Sequence, residues 1–161
     1  MDPETGQGAP TPCYTYGAAI AEVEVDQETG KVQVLDLTAC YDCGCAINPL
    51  AVEGQIEGGL VQGLGFTLME NMYPRYPLAI PSAVSLKDYV VPTSMDVPRR
   101  MRSLIHESHF AMGPFGAKGV GEVPLNTVAP AVVNAIYDAV GVRIKDLPVN
   151  PEVLLRALRE Q

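Results

Sequence analysis

The sequence predicts an α+β fold, a mixed β-sheet with packed helices, and three observations carry that expectation. Apolar residues alternate strictly in two stretches near the N-terminus, which calls for paired strands. Two later stretches place them at steps of four, which is helical. With 161 residues, 47% of them hydrophobic, the chain suits a single domain with a sizeable core.

Residues 1–13, "MDPETGQGAPTPC", form an extended lead-in segment, because Asp-Pro, Gly-Gln-Gly and the prolines at 10 and 12 disfavour helix and strand ladder alike. The folded part then runs over 14–161. From Tyr14, "YTYGAAIAEVEV" sets Ala19, Ala21, Val23 and Val25 on one face, and "KVQVLDLTA" alternates again after the turn "DQETG", so the pair reads as a β-hairpin. After "NPL" at 48–50 the period changes, and "AVEGQIEGGLVQGLGFTLMENM" puts Ile56, Leu60, Leu64 and Leu68 on one helical face. Its glycines at 54, 58, 59, 63 and 65 each cost up to about 1 kcal/mol against alanine inside a helix, so another backbone or a ligand is expected to approach that surface closely.

Between Tyr73 and Arg100 the prolines at 74, 77, 81, 92 and 98 impose an irregular crossing with one short strand, and "RSLIHESHF" reads as a strand leading into a glycine-rich loop. "NTVAPAVVNAIYDAVG" has Asn126 as its expected N-cap, Pro130 in its first turn and Gly141 as its stop. "VRIKDLPV" follows as a strand or an extended exit, and Asn150 before Pro151 supplies the cap and first-turn pair of a last helix, "PEVLLRALRE".

Charge and composition exclude several functions. Nineteen acidic against eleven basic side chains give a net charge of -8, which opposes attraction to nucleic acid or anionic lipid, so neither is expected as a partner. The longest apolar stretches fall short of the roughly 18 residues of a membrane span. No basic, then apolar, leader opens the sequence, and a cytoplasmic location is expected. Fifteen glycines and fourteen prolines make a loop-rich balance, implying that part of the surface belongs against other protein.

The densest motif is "GPFGAKGVGEVPLN" at 113–126, between a candidate strand and a candidate helix. Such loops turn backbone N–H groups toward an anionic or strongly hydrogen-bonding ligand. It is not a P-loop, since Gly119 follows the lysine where serine or threonine is required, and it does not match the dinucleotide fingerprint. From the residues alone it is either a ligand cradle or a structural turn. Glu122 at its exit is either a general base, open to close approach by a substrate, or an acid compensating the positive end of the following helix.

Three blocks together resemble one family. "TGKVQVLDLTACYDCGCAINPLAVEGQIEGGLVQGLGFTLME", "LKDYVVPTSMDVP" and "GPFGAKGVGEVPLNTVAPAVVNAIYDAVGVRIKDLPVNPEVLL" are similar, in this order, to the molybdenum-binding subunit of the xanthine oxidase family of molybdenum hydroxylases. The resemblance covers most of the chain from about Gly17 to Leu155 and implies that 14–161 is the C-terminal part of a molybdopterin-binding domain, with the fold of that type. By carry-over, Glu122 is the general base of a reaction that hydroxylates a carbon of a purine-like N-heterocycle or an aldehyde with water-derived oxygen. Gln55 matches the glutamine that hydrogen-bonds the pterin, and Ala117, Lys118, Gly119, Val120 and Gly121 match the loop lying along it. Many members carry proline directly after the glutamate, whereas here Val123 intervenes before Pro124.

The resemblance further implies a molybdenum oxidoreductase active only with partners. These are the rest of the molybdopterin-binding subunit, an iron–sulfur subunit with [2Fe-2S] clusters and an FAD subunit, around a molybdopterin of mononucleotide or cytosine dinucleotide form. The rival reading is a non-catalytic assembly domain that keeps the fold without cofactor.

The remaining motifs point elsewhere with less force. Cys40, Cys43 and Cys45 form C-x-x-C-x-C, but only Cys13 could complete a thiolate set, so reduced thiols packed as small hydrophobes are expected and no metal ligands are assigned. His106 and His109 lie in a strand or loop with no cysteine beside them in sequence to complete a set. Asp42, Asp88 and Asp96 read as turn or cap groups.

Overall fold

A computed structural model describes residues 2, 4–8, 13–71, 85 and 87–160. The expected hairpin forms from β1 (Gly17–Val25) and β2 (Val32–Asp42), which pair antiparallel with an irregularity between Glu22 and Val23. Its turn closes on Asp26, whose carboxylate accepts the Glu28 and Thr29 amides at 2.9 and 3.2 Å, and Gly30 takes the left-handed conformation at φ +73°. The third strand, β3 (Arg100–His106), joins the opposite edge of β2 and runs parallel to it, so the sheet is mixed, in the order β1-β2-β3.

Parallel neighbours require a crossover, and the chain between β2 and β3 supplies α1 (Pro49–Leu68). This helix starts two residues before Ala51 because Asn48 caps it, its side chain accepting the Ala51 amide at 3.2 Å, while Pro49 sits where a missing N–H costs nothing. Ile56, Leu60 and Leu64 face the core, against Leu37, Ala39 and Tyr41 of β2 and Val128, Val132 and Ile136 of α2 (Val128–Val140).

The start of α2 corrects the sequence expectation. Asn126 does not cap it; the preceding residues wind into a 3-10 turn, Val123–Thr127, and the cap position falls to Thr127, which makes no capping bond through its side chain. The hydroxyl of Thr127 is committed to Tyr41 instead. The stop is as expected, with Gly141 left-handed at φ 75°. The segment after it is an extended exit and not a strand; Val142, Ile144 and Val149 bury their side chains, and the Val149 amide donates to Thr67 O at 2.7 Å. The last helix, α3 (Pro151–Arg159), begins with Asn150 accepting the Val153 amide at 2.9 Å. Among the described residues before Arg100 the crossing forms turns and no strand; residues 72–84 and 86 lie outside the described residues. No described helix is long and apolar enough to cross a membrane.

The α1 glycines divide by what surrounds them. A β-carbon on Gly59 would stand 2.6 Å from Pro124 Cβ, and one on Gly63 2.6 Å from Val128 Cβ, so these two let the 123–128 segment lie against the helix. Gly54 and Gly58 face open space, with nothing within 4 Å. Close approach therefore accounts for part of the pattern within this chain, and no packing among the described residues explains Gly54 and Gly58.

Opposite responses to the same substitution are expected. Gly54→Ala and Gly58→Ala each raise the stability of the chain by about 0.5–1 kcal/mol, since helix propensity acts alone. Gly59→Ala and Gly63→Ala lower it by about 1–3 kcal/mol through overpacking. Urea midpoints of the four variants check both signs.

Candidate functional site

Two successive residues at the end of β2 organise the glycine loop. Side chains alternate along a strand, so Tyr41 enters the core while Asp42 points to the other face. Tyr41 is fully buried; its hydroxyl donates to the Pro124 carbonyl at 2.6 Å and receives the Thr127 hydroxyl. Burial pushes the phenol above its ordinary range, although the Thr127 bond pulls the other way, so it stays protonated and a donor. Gly17, opposite it across the hairpin, has no room for a β-carbon against the ring.

Asp42 holds the other end of the loop. Its carboxylate pairs with the Lys118 ammonium and also accepts the Gly44 and Ser108 amides, at 2.9 and 3.2 Å; both side chains of the pair are under a tenth exposed. Burial alone would raise the Asp42 carboxyl, but the Lys118 bond and the two amides outweigh it and hold it below its ordinary value, while the bond to Asp42 raises Lys118. The loop is further laced to the strand end by Lys118 N–H to Cys43 O at 2.8 Å and Cys45 N–H to Gly116 O at 2.9 Å.

Between these anchors run Gly119, Val120, Gly121 and Glu122. The backbone amides of Gly119, Val120 and Gly121 find no acceptor among the described residues, and neither does the Gln55 side-chain amide. Gln55 nonetheless reaches the loop, since a β-carbon on Gly121 would lie 3.7 Å from its Oε1. The first half of α1 and the loop thus enclose an open cleft of about 200 Å³, lined by Ala51 and Gln55 on one side and Ala117, Lys118 and Val120 on the other, with Cys43 and Cys45. Consecutive free amides with a carboxamide across from them fit a ligand rich in hydrogen-bond acceptors and donors, as a pterin is. A hollow of about 430 Å³ along α3 is larger, but beside Leu155 it offers exposed charges, such as Arg156 and Glu152 paired at 3.3 Å.

Most of the sequence-derived residues therefore gather at one cleft. Gln55, Ala117, Lys118 and Val120 line the cleft, Gly121 lies near Gln55, and Gly119 and Glu122 are their neighbours in the chain but not part of the lining. Glu122 is exposed, stands at the cap position of the 3-10 turn without a capping bond, and its carboxylate takes no hydrogen bond or ion pair among the described residues. Lys118 contributes to the cleft differently from its neighbours, because its ammonium is spent on Asp42. Sequence reasoning missed Tyr41 and Thr127 and read Asp42 only as a turn group. The alternation of β2 is the signal that could have turned Tyr41 inward; nothing local announces its partner 83 residues away. The two histidines separate, His106 on exposed β3 and His109 in the loop beyond, and no described group of three or more His, Cys, Asp or Glu is arranged to hold a metal.

Comparison with known proteins shows the family of the chain. Residues 1–98 match the molybdopterin cofactor-binding domain family. The chain is 41% identical over 159 residues to aldehyde oxidoreductase of Megalodesulfovibrio gigas, covering 98% of this chain and 17% of that protein. It is 39% identical over 148 residues to a probable xanthine dehydrogenase subunit of Bacillus subtilis, covering 90% of this chain and 19% of the relative. The crystal structure of aldehyde oxidoreductase from Desulfovibrio desulfuricans superposes with a TM-score of 0.84 at 39% identity, over 94% of this chain and 16% of that one. The chain thus spans less than a fifth of the length of these relatives.

Both anchors are open to test. Tyr41→Phe leaves the buried Pro124 carbonyl without its donor and should cost about 1–3 kcal/mol in urea unfolding. For Asp42 the folded pKa lies below the ordinary 3.8, so its contribution is present above that pH and is lost as pH falls through the folded value; for Lys118 it lies above 10.5, so its contribution is lost as pH rises through the folded value. The stability difference between wild type and Asp42→Asn should accordingly be flat near neutrality and shrink at both extremes, which unfolding curves across pH will show.

Proposed function

The chain belongs to the molybdopterin cofactor-binding domain family, and from that premise we propose that it is the C-terminal portion, or a separately encoded small subunit, of the molybdenum-binding part of a hydroxylase of aldehyde oxidoreductase or xanthine dehydrogenase type. The observation that carries this reading is the convergence of Gln55 with the unpaired amides of Gly119, Val120 and Gly121 beside an unpaired Glu122. Gln55 and the three amides would hold the pterin, in its mononucleotide or cytosine dinucleotide form. The molybdenum cofactor, when bound, supplies the two-electron oxidation of a substrate carbon, in a purine-like N-heterocycle or an aldehyde.

What this chain adds is a proton acceptor. A carboxylate oxygen of Glu122 takes the proton from the water-derived oxygen that the substrate carbon gains, and the absence of competing partners among the described residues leaves that carboxylate available. Lys118 cannot compete for the role, because Asp42 keeps it protonated and turned away. Tyr41 and Asp42 fix the loop on both sides of the base, which is the positioning that proton transfer demands.

Partner chains follow from the length. With less than a fifth of its relatives' span, this chain requires the remainder of the molybdenum-binding subunit, and one relative is by name a subunit. Iron–sulfur and FAD subunits would carry the electrons away. The open face of Gly54 and Gly58 supports such packing.

In the assembled enzyme, Glu122→Gln should lower turnover by about 10²–10⁴-fold while molybdenum per complex stays unchanged. Full activity in that variant overturns the assignment of the base. A native complex without molybdenum would instead mark the chain as an assembly domain.

A further inference from the structure

The reading above leaves Cys45 and His109 unused, although three segments are shaped to bring them together. Cys45 follows the left-handed Gly44 after β2, and His109 lies in the turn beyond β3. Between them passes Gly116, left-handed at φ +80°, where a β-carbon would collide with the His109 ring and stand 3.0 Å from Cys45 Sγ. The result is a sulfur 3.5 Å from His109 Nδ1, within hydrogen-bond reach for sulfur. The thiol also lines the cleft bounded by Gln55 and Lys118, half-buried and open to small molecules entering it.

Nearby charged groups are otherwise engaged. Glu107 accepts the Ala46 amide at 2.6 Å, and Asp42 is taken by Lys118, so among the described residues His109 is the base in contact with this sulfur. The neighbouring Cys43 is a poor competitor, since burial and then the Glu107 carboxylate push its thiol up.

We propose that Cys45 is a modification site: a thiol assisted by His109 that undergoes exchange with low-molecular-weight disulfides entering the cleft. His109 Nδ1 takes the thiol proton as the sulfur attacks one sulfur of the disulfide. The new S–S bond forms on Cys45 and the old one breaks; the departing thiolate leaves with the electron pair and recovers the proton from His109. Cys45 is oxidised and the departing half of the disulfide is reduced. The adduct fills the mouth of the cleft, so modification and occupancy of the cleft exclude each other. Only that last consequence rests on the cofactor reading; the reactivity rests on the Cys45–His109 geometry.

The test uses the full chain with glutathione disulfide as probe and follows adducts at each cysteine by peptide mass spectrometry. Cys45 should be modified at least about tenfold faster than Cys13, Cys40 or Cys43. His109→Gln should slow Cys45 by about tenfold and leave Cys13 and Cys40 unchanged, and added imidazole should restore the rate in His109→Ala. Equal rates at Cys45 and Cys40 in the wild type, a comparison that needs no variant to fold, overturn the proposal. An unchanged Cys45 rate in folded His109→Gln does the same.

Discussion

The architecture of the site depends on a constraint at the end of one strand. Adjacent residues in β2 must point to opposite faces, and this chain uses the pair to grip one loop at two places. Tyr41, buried in the core, holds Pro124 and Thr127 just after Glu122; Asp42, on the other face, holds Lys118 just before Gly119. The stretch 119–122 is therefore fixed at both ends; the Gly119 carbonyl accepts the Thr15 hydroxyl at 3.1 Å, while the amides of Gly119, Val120 and Gly121 stay unpaired among the described residues. A strand buried in the centre of the sheet makes the grip rigid, since β2 is paired on both edges and Leu37 and Ala39 are in the core.

The second wall of the cleft comes from α1, and its glycines decide how near the two walls come. Gly59 and Gly63 let Pro124 and Val128 rest on the helix backbone, which brings the exit of the loop against the same helix that carries Gln55. The Lys118–Asp42 pair is worth more as a register device than as a source of stability, because desolvating two charges offsets much of their attraction. Its local consequence is that the Lys118 ammonium is engaged by Asp42, while the Glu122 carboxylate keeps no partner among the described residues.

The core and the cleft side of the chain are closed to different degrees. The core around Leu60, Val132 and Ile136 closes on itself, and every buried side-chain polar atom described has a hydrogen-bond partner. The cleft side does not close: Ile47 and Leu50 are more than two-thirds exposed, and Phe115 holds a left-handed backbone with its ring in the open. An α-carbon with a side chain rarely adopts that conformation without surrounding contacts that favour it.

The elements were legible in the sequence because each is set by local chemistry. Alternation fixed the hairpin, steps of four fixed α1 and α2, and the Asn150-Pro151 pair fixed the start of α3, whereas the Asn48 cap that starts α1 at Pro49 went unread. The glycine loop and Glu122 could be singled out from spacing, and their association with Gln55 came from resemblance to a family pattern. Tertiary structure decided the rest. The parallel docking of β3, the transfer of the α2 cap from Asn126 to Thr127, the Tyr41 and Asp42 anchors and the Cys45–His109 contact all depend on residues distant in sequence. No local propensity encodes such pairings: they arise when hydrophobic burial brings β2, α1 and the loop together and the polar groups caught between them must find partners.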